Sequence, residues 1–252
     1  MAILAGAELG LAARIGLAMT LLQLGIGTLN DVVDAPADAG LKPGKPIPAG
    51  LVGPGPARNA AIALFLGGAV LAATAAPVLL ALSALVIGIG LSYDLRLKGT
   101  AWSWLPFAVG IPILPVFGWL GATGTLPAAF AVLIPAAMAA GAALAITNSL
   151  VDVERDRAAG RTSVAATLGA TRAAATATAL FAAVALAAVV TAWRGGAAGW
   201  PIWGVLAAGA IPVVASLLAL GASAARREWA WRVEAVATGI LAILWLGMLP
   251  SP

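Results

Sequence analysis

Apolar residues run along this chain in eight blocks, at 3–29, 58–75, 77–91, 103–121, 126–150, 172–193, 200–221 and 231–249. Inside the blocks Ala and Leu outnumber β-branched residues and nothing alternates with period two, so the pattern predicts helices rather than strands. Most blocks can cross a hydrocarbon core of about 30 Å at about 1.5 Å of rise per residue. The block at 77–91 is short, and is expected to need snorkelling side chains or a thinner bilayer. The expected fold is all-α: a polytopic transmembrane helical bundle of about eight spans.

Composition sharpens this picture. The chain has 252 residues, of which 62% are hydrophobic and 10% charged, and its mean hydropathy is +1.03. That leaves no room for a separate soluble domain, so residues 1–252 are expected to form a single transmembrane domain. The first block lacks a basic leader and runs past signal-peptide length, so it is expected to stay as a span. Cysteine and histidine are both absent. This excludes disulfides, thiolate chemistry and the usual general base near neutral pH. Chemistry must run on Asp, Glu, Lys, Arg, Tyr or Asn, or on a metal held by oxygen.

Charge sets the topology. Twelve of the fourteen Lys and Arg residues fall in the loops after the odd-numbered blocks, Arg194 stands on the other side, and Arg14 lies inside the first block. By the positive-inside rule the odd loops are expected in the cytoplasm. Eight of the nine Trp residues sit near block ends, Trp245 being the exception, as an interfacial belt requires. The long loops, 30–57 and 151–171, share the cytoplasmic side, so one face is elaborated into a polar cap.

Both long loops begin with acidic clusters. "LNDVVDAPAD" places Asn30, Asp34 and Asp38 at i, i+4, i+8, and "NSLVDVERD" repeats that spacing with Asn148, Asp152 and Asp156. On a helix each set shares one face, and Asp31 adds an oxygen ligand to the first. Carboxylates at a membrane boundary are costly unless paired or bound to cations. Hard oxygen donors without His or Cys select Mg²⁺, which binds through one or two carboxylates plus phosphate oxygens. The implied ligand is a phosphate or diphosphate bridged by metal between two helix ends that approach each other. Basic residues accompany the carboxylates: Lys45 after the first cluster, Arg155 and Arg161 within the second, Arg96 and Lys98 with Tyr93 in "SYDLRLKGT". Arginine can grip a diphosphate bidentately and lysine as a point charge. Lys42, Arg157 and Arg172 are read as topology charges.

These segments carry a resemblance. "NDVVDAPADAGLKPGKPIPAG" resembles the NDxxDxxxD…(R/K)P(I/L)PSG signature of UbiA-type intramembrane prenyltransferases; "NSLVDVERDRAAGRTSVAATLG" resembles their second aspartate-rich motif, and "YDLRLKG" their Tyr…Lys loop. The resemblance spans most of the chain in the right order. It implies a nine-helix fold, here with its first helix missing, under a polar cytoplasmic cap. It further implies Mg²⁺-dependent transfer of an isoprenoid from a prenyl diphosphate to a lipophilic or aromatic acceptor. Asp31, Asp34, Asp38, Asp152 and Asp156 would hold the metal, supported by Asn30 and Asn148. Lys45, Lys98 and Arg161 would grip the diphosphate, Tyr93 would sit near the reacting carbon, and Asp94 is a candidate base. The expected partners are the prenyl diphosphate, an acceptor and the lipid bilayer, with no nucleic acid.

Three departures bear on the site. Pro36 inside the first cluster is expected to kink its helix between Asp34 and Asp38. Ala49 stands where the signature has Ser. The Tyr93–Lys98 spacing, with Arg96 between, allows Arg96 and Lys98 to exchange roles. A terpene cyclase and a polyprenyl-phosphate phosphoribosyltransferase would use the same diphosphate chemistry. A cation-coupled transporter is the competing class, disfavoured because the carboxylates gather at one membrane edge rather than near the midplane.

Overall fold

The apolar blocks fold as helices. The computed structural model describes residues 1–40, 44–196 and 198–248, and no strand occurs among them. Lys42 and the last residue of the 231–249 block lie outside the described residues. The helices are α1 (Leu9–Asp38), α2 (Pro54–Ala75), α3 (Pro77–Ser92), α4 (Leu105–Thr123), α5 (Phe130–Val151), α6 (Val153–Ala158), α7 (Val164–Leu168), α8 (Ala170–Arg194), α9 (Trp200–Leu218) and α10 (Ala224–Leu246). Proline opens α2, α3 and α9, where its missing N–H costs no intrahelical bond and its fixed φ favours the first turn. Eight of these helices are long and apolar enough to span a bilayer. The chain is an integral membrane protein.

Among the boundaries that differ from the sequence pattern, two extend spans into the polar end. The first block stops at Leu29, yet α1 runs on unbroken to Asp38. Its 30 residues make a rod of about 45 Å, longer than a hydrocarbon core of about 30 Å. The helix passes through Pro36, and the Ala39 N–H still donates to the Ala35 carbonyl at 3.1 Å. So close to the helix end, the proline removes one intrahelical donor without ending the helix. The block at 77–91 does not stay short either. After α3 the chain continues as a π-helical turn, Tyr93–Leu97, giving a 21-residue span, Pro77–Leu97, so no thinning is needed.

By its internal contacts the chain divides into two compact units. The first holds Ala2–Arg96 with Ile113–Thr125. Its core is a stripe on α1, Ala12, Ile15, Ala18 and Leu22, packed with Ala72, Leu79, Val86 and Phe117. The stripe has the three-and-four spacing of a helix face. Small residues bring these helices close: a Cβ at Gly68 of α2 would lie 2.9 Å from Leu22 Cγ and 3.0 Å from the Ala18 carbonyl oxygen. In lipid, such close packing replaces the hydrophobic effect as the main attraction between helices.

The second unit holds Leu97–Pro112 and the chain from Leu126 onward. Here α5 is the central helix, buried on every side from Ala140 through Thr147. Its Ala- and Gly-rich sequence permits this, since α8 and α10 both pack against it. At Gly141 an added Cβ would overlap the Phe107 carbonyl oxygen of α4. Around this helix, Leu144, Ile146, Leu150, Val153, Ala173, Ala177 and Phe181 form the core.

Candidate active site

In the first unit the extension of α1 carries Asp31, Asp34 and Asp38. Spaced i, i+3, i+7, they lie on one helix face. The loop after α1 turns Lys45 back onto that face. Its ammonium lies 2.8 Å from Asp31, 2.8 Å from Asp38 and 3.8 Å from Asp34. Burial alone would lower the Lys45 pKa, but hydrogen bonds and then charges from Asp31 and Asp38 outweigh it and hold it above the ordinary lysine range. Lys45 therefore stays protonated and neutralises the first cluster.

Asn30 belongs to a different contact. Its side-chain amide donates to Asp94 Oδ1 at 2.7 Å, tying the end of α1 to the π-helical turn after α3. Turns of this kind are rare and occur often at functional sites. The turn buries Asp94, leaves Tyr93 half-buried and exposes Arg96. The residues of the first unit that the sequence singles out thus gather in two linked groups: Lys45 with three carboxylates, and Asn30 with Asp94 beside Tyr93.

In the second unit the acidic motif lies at a helix break. α5 ends at Val151, Asp152 takes φ −103° and ψ 9°, and α6 begins at Val153. The Asn148–Asp152–Asp156 stripe is therefore not carried by one uninterrupted helix. The Asp156 N–H still donates to the Asp152 carbonyl at 2.8 Å, keeping both residues on one turn. Arg155 pairs with Asp152 at 2.9 Å. Arg161 lies 3.6 Å from the Asp156 carboxylate, and its backbone N–H donates to the Asp156 carbonyl at 2.8 Å. A Cβ at Gly99 would lie 3.5 Å from Arg161 Cδ, so the chain just after Lys98 runs beside Arg161. Lys98, Arg161 and Asp156 thus belong to one neighbourhood, while Asn148 sits half-buried on the last turn of α5.

Two groups escaped the sequence reading. Arg227, assigned there to a polar loop, lies in the first turn of α10, is buried, and pairs with Glu154. The Arg227 hydrogen bond holds the Glu154 carboxyl below its usual range, against a slight opposing effect of burial. Glu234, one heptad further along α10, is fully buried and faces Thr147 of α5. The Thr147 hydroxyl donates to the Leu144 carbonyl at 3.2 Å and lies beside the Glu234 carboxyl. The signal was present: an ionisable residue inside an apolar span is a candidate by default.

Among the described residues no three acidic side chains are arranged directly around a metal ion. The carboxylates of α1 nevertheless converge on the single cationic centre of Lys45, and an all-oxygen donor set suits a hard dication.

The fold has counterparts among solved membrane proteins. A solved UbiA homolog from Aeropyrum pernix superposes with a TM-score of 0.74 at 20% identity, covering 96% of this chain and 93% of that one. A UbiA homolog from Archaeoglobus fulgidus, solved bound to DMAPP and Mg²⁺, gives a TM-score of 0.67 at 16% identity, covering 95% and 90%. In sequence, a digeranylgeranylglyceryl phosphate synthase from Methanopyrus kandleri is 33% identical over 227 residues, 88% of this chain and 82% of that protein. The model of the UbiA prenyltransferase family matches residues 1–248. A membrane-embedded helical chain with these motifs in this order belongs to the UbiA prenyltransferase family, and is a membrane prenyltransferase.

Proposed function

We propose that the protein transfers an isoprenoid group from a prenyl diphosphate to a lipophilic acceptor within the membrane, with Mg²⁺ as cofactor. The observation that carries this reading is the convergence of Asp31, Asp34 and Asp38 on one cationic point. The A. fulgidus homolog bound to DMAPP and Mg²⁺ supports the donor and the ion. Asp31, Asp34, Asp38, Asp152 and Asp156 would hold the metal, which supplies charge neutralisation for the departing diphosphate.

The chain's own residues do the rest. Lys45, Arg96, Lys98, Arg155 and Arg161 supply cationic donors to diphosphate oxygens, which gain charge as the allylic C–O bond breaks. Asn30 orients Asp94, and Asn148 supports the second acidic motif. Tyr93 lies against the reacting carbon. Apolar helices hold the isoprenoid tail and exclude water that would capture a carbocation. The acceptor's proton leaves to a carboxylate, with Asp94 assigned as base in a chain without histidine. The positive-inside bias supports a cytoplasmic side for the motif loops, and residues 1–252 are read as one transferase domain. Kinship with the M. kandleri synthase makes a glyceryl phosphate carrying a prenyl chain the first acceptor to try.

The test incubates purified protein and Mg²⁺ with labelled prenyl diphosphates of graded length, with or without glyceryl phosphate, aromatic and polyprenyl-phosphate acceptors. The expected result is a prenylated acceptor with release of diphosphate. A cyclic hydrocarbon formed without acceptor would replace this reading with a cyclase. In a parallel arm with phosphoribosyl diphosphate as donor, phosphoribosyl transfer to the polyprenyl phosphate would replace it with that activity.

A further inference from the structure

The turn that bears the second acidic motif is too small to orient itself. α6 has six residues, and a helix this short is unstable in isolation. Asp152, at its N-terminal boundary, and Asp156 are four residues apart and share one turn, whereas Glu154, two from each, points about 200° away on a helix. Three carboxylates in five residues are thus divided between two faces, and something must decide which face turns toward the diphosphate.

α10 provides that decision. Arg227 is 8% exposed and pairs with Glu154, whose side chain is 64% exposed. One turn further along, Trp231 donates its indole N–H to the Leu144 carbonyl of α5 at 3.2 Å. Glu234 faces Thr147. α10 thus meets α6 through Arg227 in its first turn and α5 through Trp231 and Glu234 further along. A charge buried on this scale is retained only with its partner.

Resting on the prenyltransferase reading above, we propose that Arg227 is a positioning residue: by holding Glu154 on the back of α6 it fixes the rotation of that turn, so that Asp152 and Asp156 face the metal-bound diphosphate. It also keeps Glu154 from joining them as a third, misdirected ligand. Groups bonded directly to metal ligands set metal affinity by about 10–100-fold when removed; Arg227 acts one step further out, through Glu154, so its effect lies at or below the lower end of that range.

The test compares full-length wild type with Arg227→Gln, Arg227→Lys, Glu154→Gln and the charge swap Glu154→Arg with Arg227→Glu. Two quantities are read: Mn²⁺ binding in the presence of inorganic diphosphate, from loss of the free-ion EPR signal, and the Mg²⁺ concentration for half-maximal transfer. Arg227→Gln and Glu154→Gln are each expected to weaken Mn²⁺ binding and to raise the half-maximal Mg²⁺ concentration, each by up to about tenfold, with a smaller loss of kcat. Arg227→Lys and the charge swap are expected to recover most of the difference. Glu154 is largely exposed, so Glu154→Gln keeps the test valid should Arg227→Gln fail to fold. Wild-type Mn²⁺ binding and Mg²⁺ dependence in folded Glu154→Gln would overturn the proposal. Asp152→Asn separates the two levels of the argument. Its loss of Mn²⁺ binding preserves the metal reading whatever Glu154→Gln shows, whereas its retention would overturn the reading and the proposal together.

Discussion

The side-chain amide of Asn30 donates to Asp94 Oδ1 at 2.7 Å, so the residue that opens the first acidic motif holds the carboxylate next to the chain's one tyrosine. Asp94 is buried, and a buried carboxylate deprived of a donor is costly. Asn30→Ala is expected to destabilise the protein by about 1–3 kcal/mol and to lower kcat. Asn30→Asp, which sets two carboxylates face to face, is expected to do more harm on both counts. Thermal melting in detergent and single-turnover kinetics check both; an active, stable Asn30→Asp would contradict the assignment.

On the proposed function, Lys45 and a divalent ion would compete for the same carboxylates. In Lys45→Met the three aspartates of α1 lose their neutralising charge. Mg²⁺ is then expected to raise the melting temperature of the variant more than that of the wild type, while affinity for inorganic diphosphate falls. Removal of Mg²⁺ with EDTA is expected to destabilise Lys45→Met selectively. Equal Mg²⁺ increments in the two proteins would show that Lys45 does not guard the site.

Close helix packing makes a contrast between glycines. A side chain at Gly141 collides with the backbone of Phe107, whereas nothing lies within 4 Å of one at Gly27. Gly141→Ala is expected to cost about 1–3 kcal/mol and to displace α5, which bears Asn148, with loss of activity. Gly27→Ala is expected to be neutral or slightly stabilising. Melting curves of the two variants make the comparison.

Much of this was legible in the sequence, and the parts that were not share a cause. Block boundaries were read from apolarity, so α1 was cut at Leu29 and α3 near Leu91, although the polar residues that follow remain helical. Hydropathy records where the membrane ends, not where backbone hydrogen bonding ends. The two Asn-x3-Asp-x3-Asp motifs were plain from spacing, but spacing assumed uninterrupted helices and missed the break at Asp152. It also grouped Asn30 with Asp34 and Asp38, whereas the structure pairs Asn30 with Asp94, 64 positions away. Arg227 and Glu234 were passed over because their partners, Glu154 and Thr147, lie on other helices.

Orientation is open to direct test because the chain has no cysteine of its own. Single cysteines at exposed Ala49 and exposed Thr125 are expected to react with a membrane-impermeant maleimide from opposite sides. Ala49→Cys should label only from the cytoplasmic side, in inverted vesicles or permeabilised cells, and Thr125→Cys in intact ones. The reverse pattern would overturn the assignment of the motif loops to the cytoplasm.

The most direct measurement is release of inorganic diphosphate from a labelled prenyl diphosphate in the presence of acceptor, for wild type, Asp34→Ala and Asp152→Ala. The wild type is expected to release diphosphate only with Mg²⁺, and each variant, folded by melting, to fall at least about a hundredfold. Turnover at the wild-type rate in either variant would contradict the claim that both acidic motifs act on the departing diphosphate.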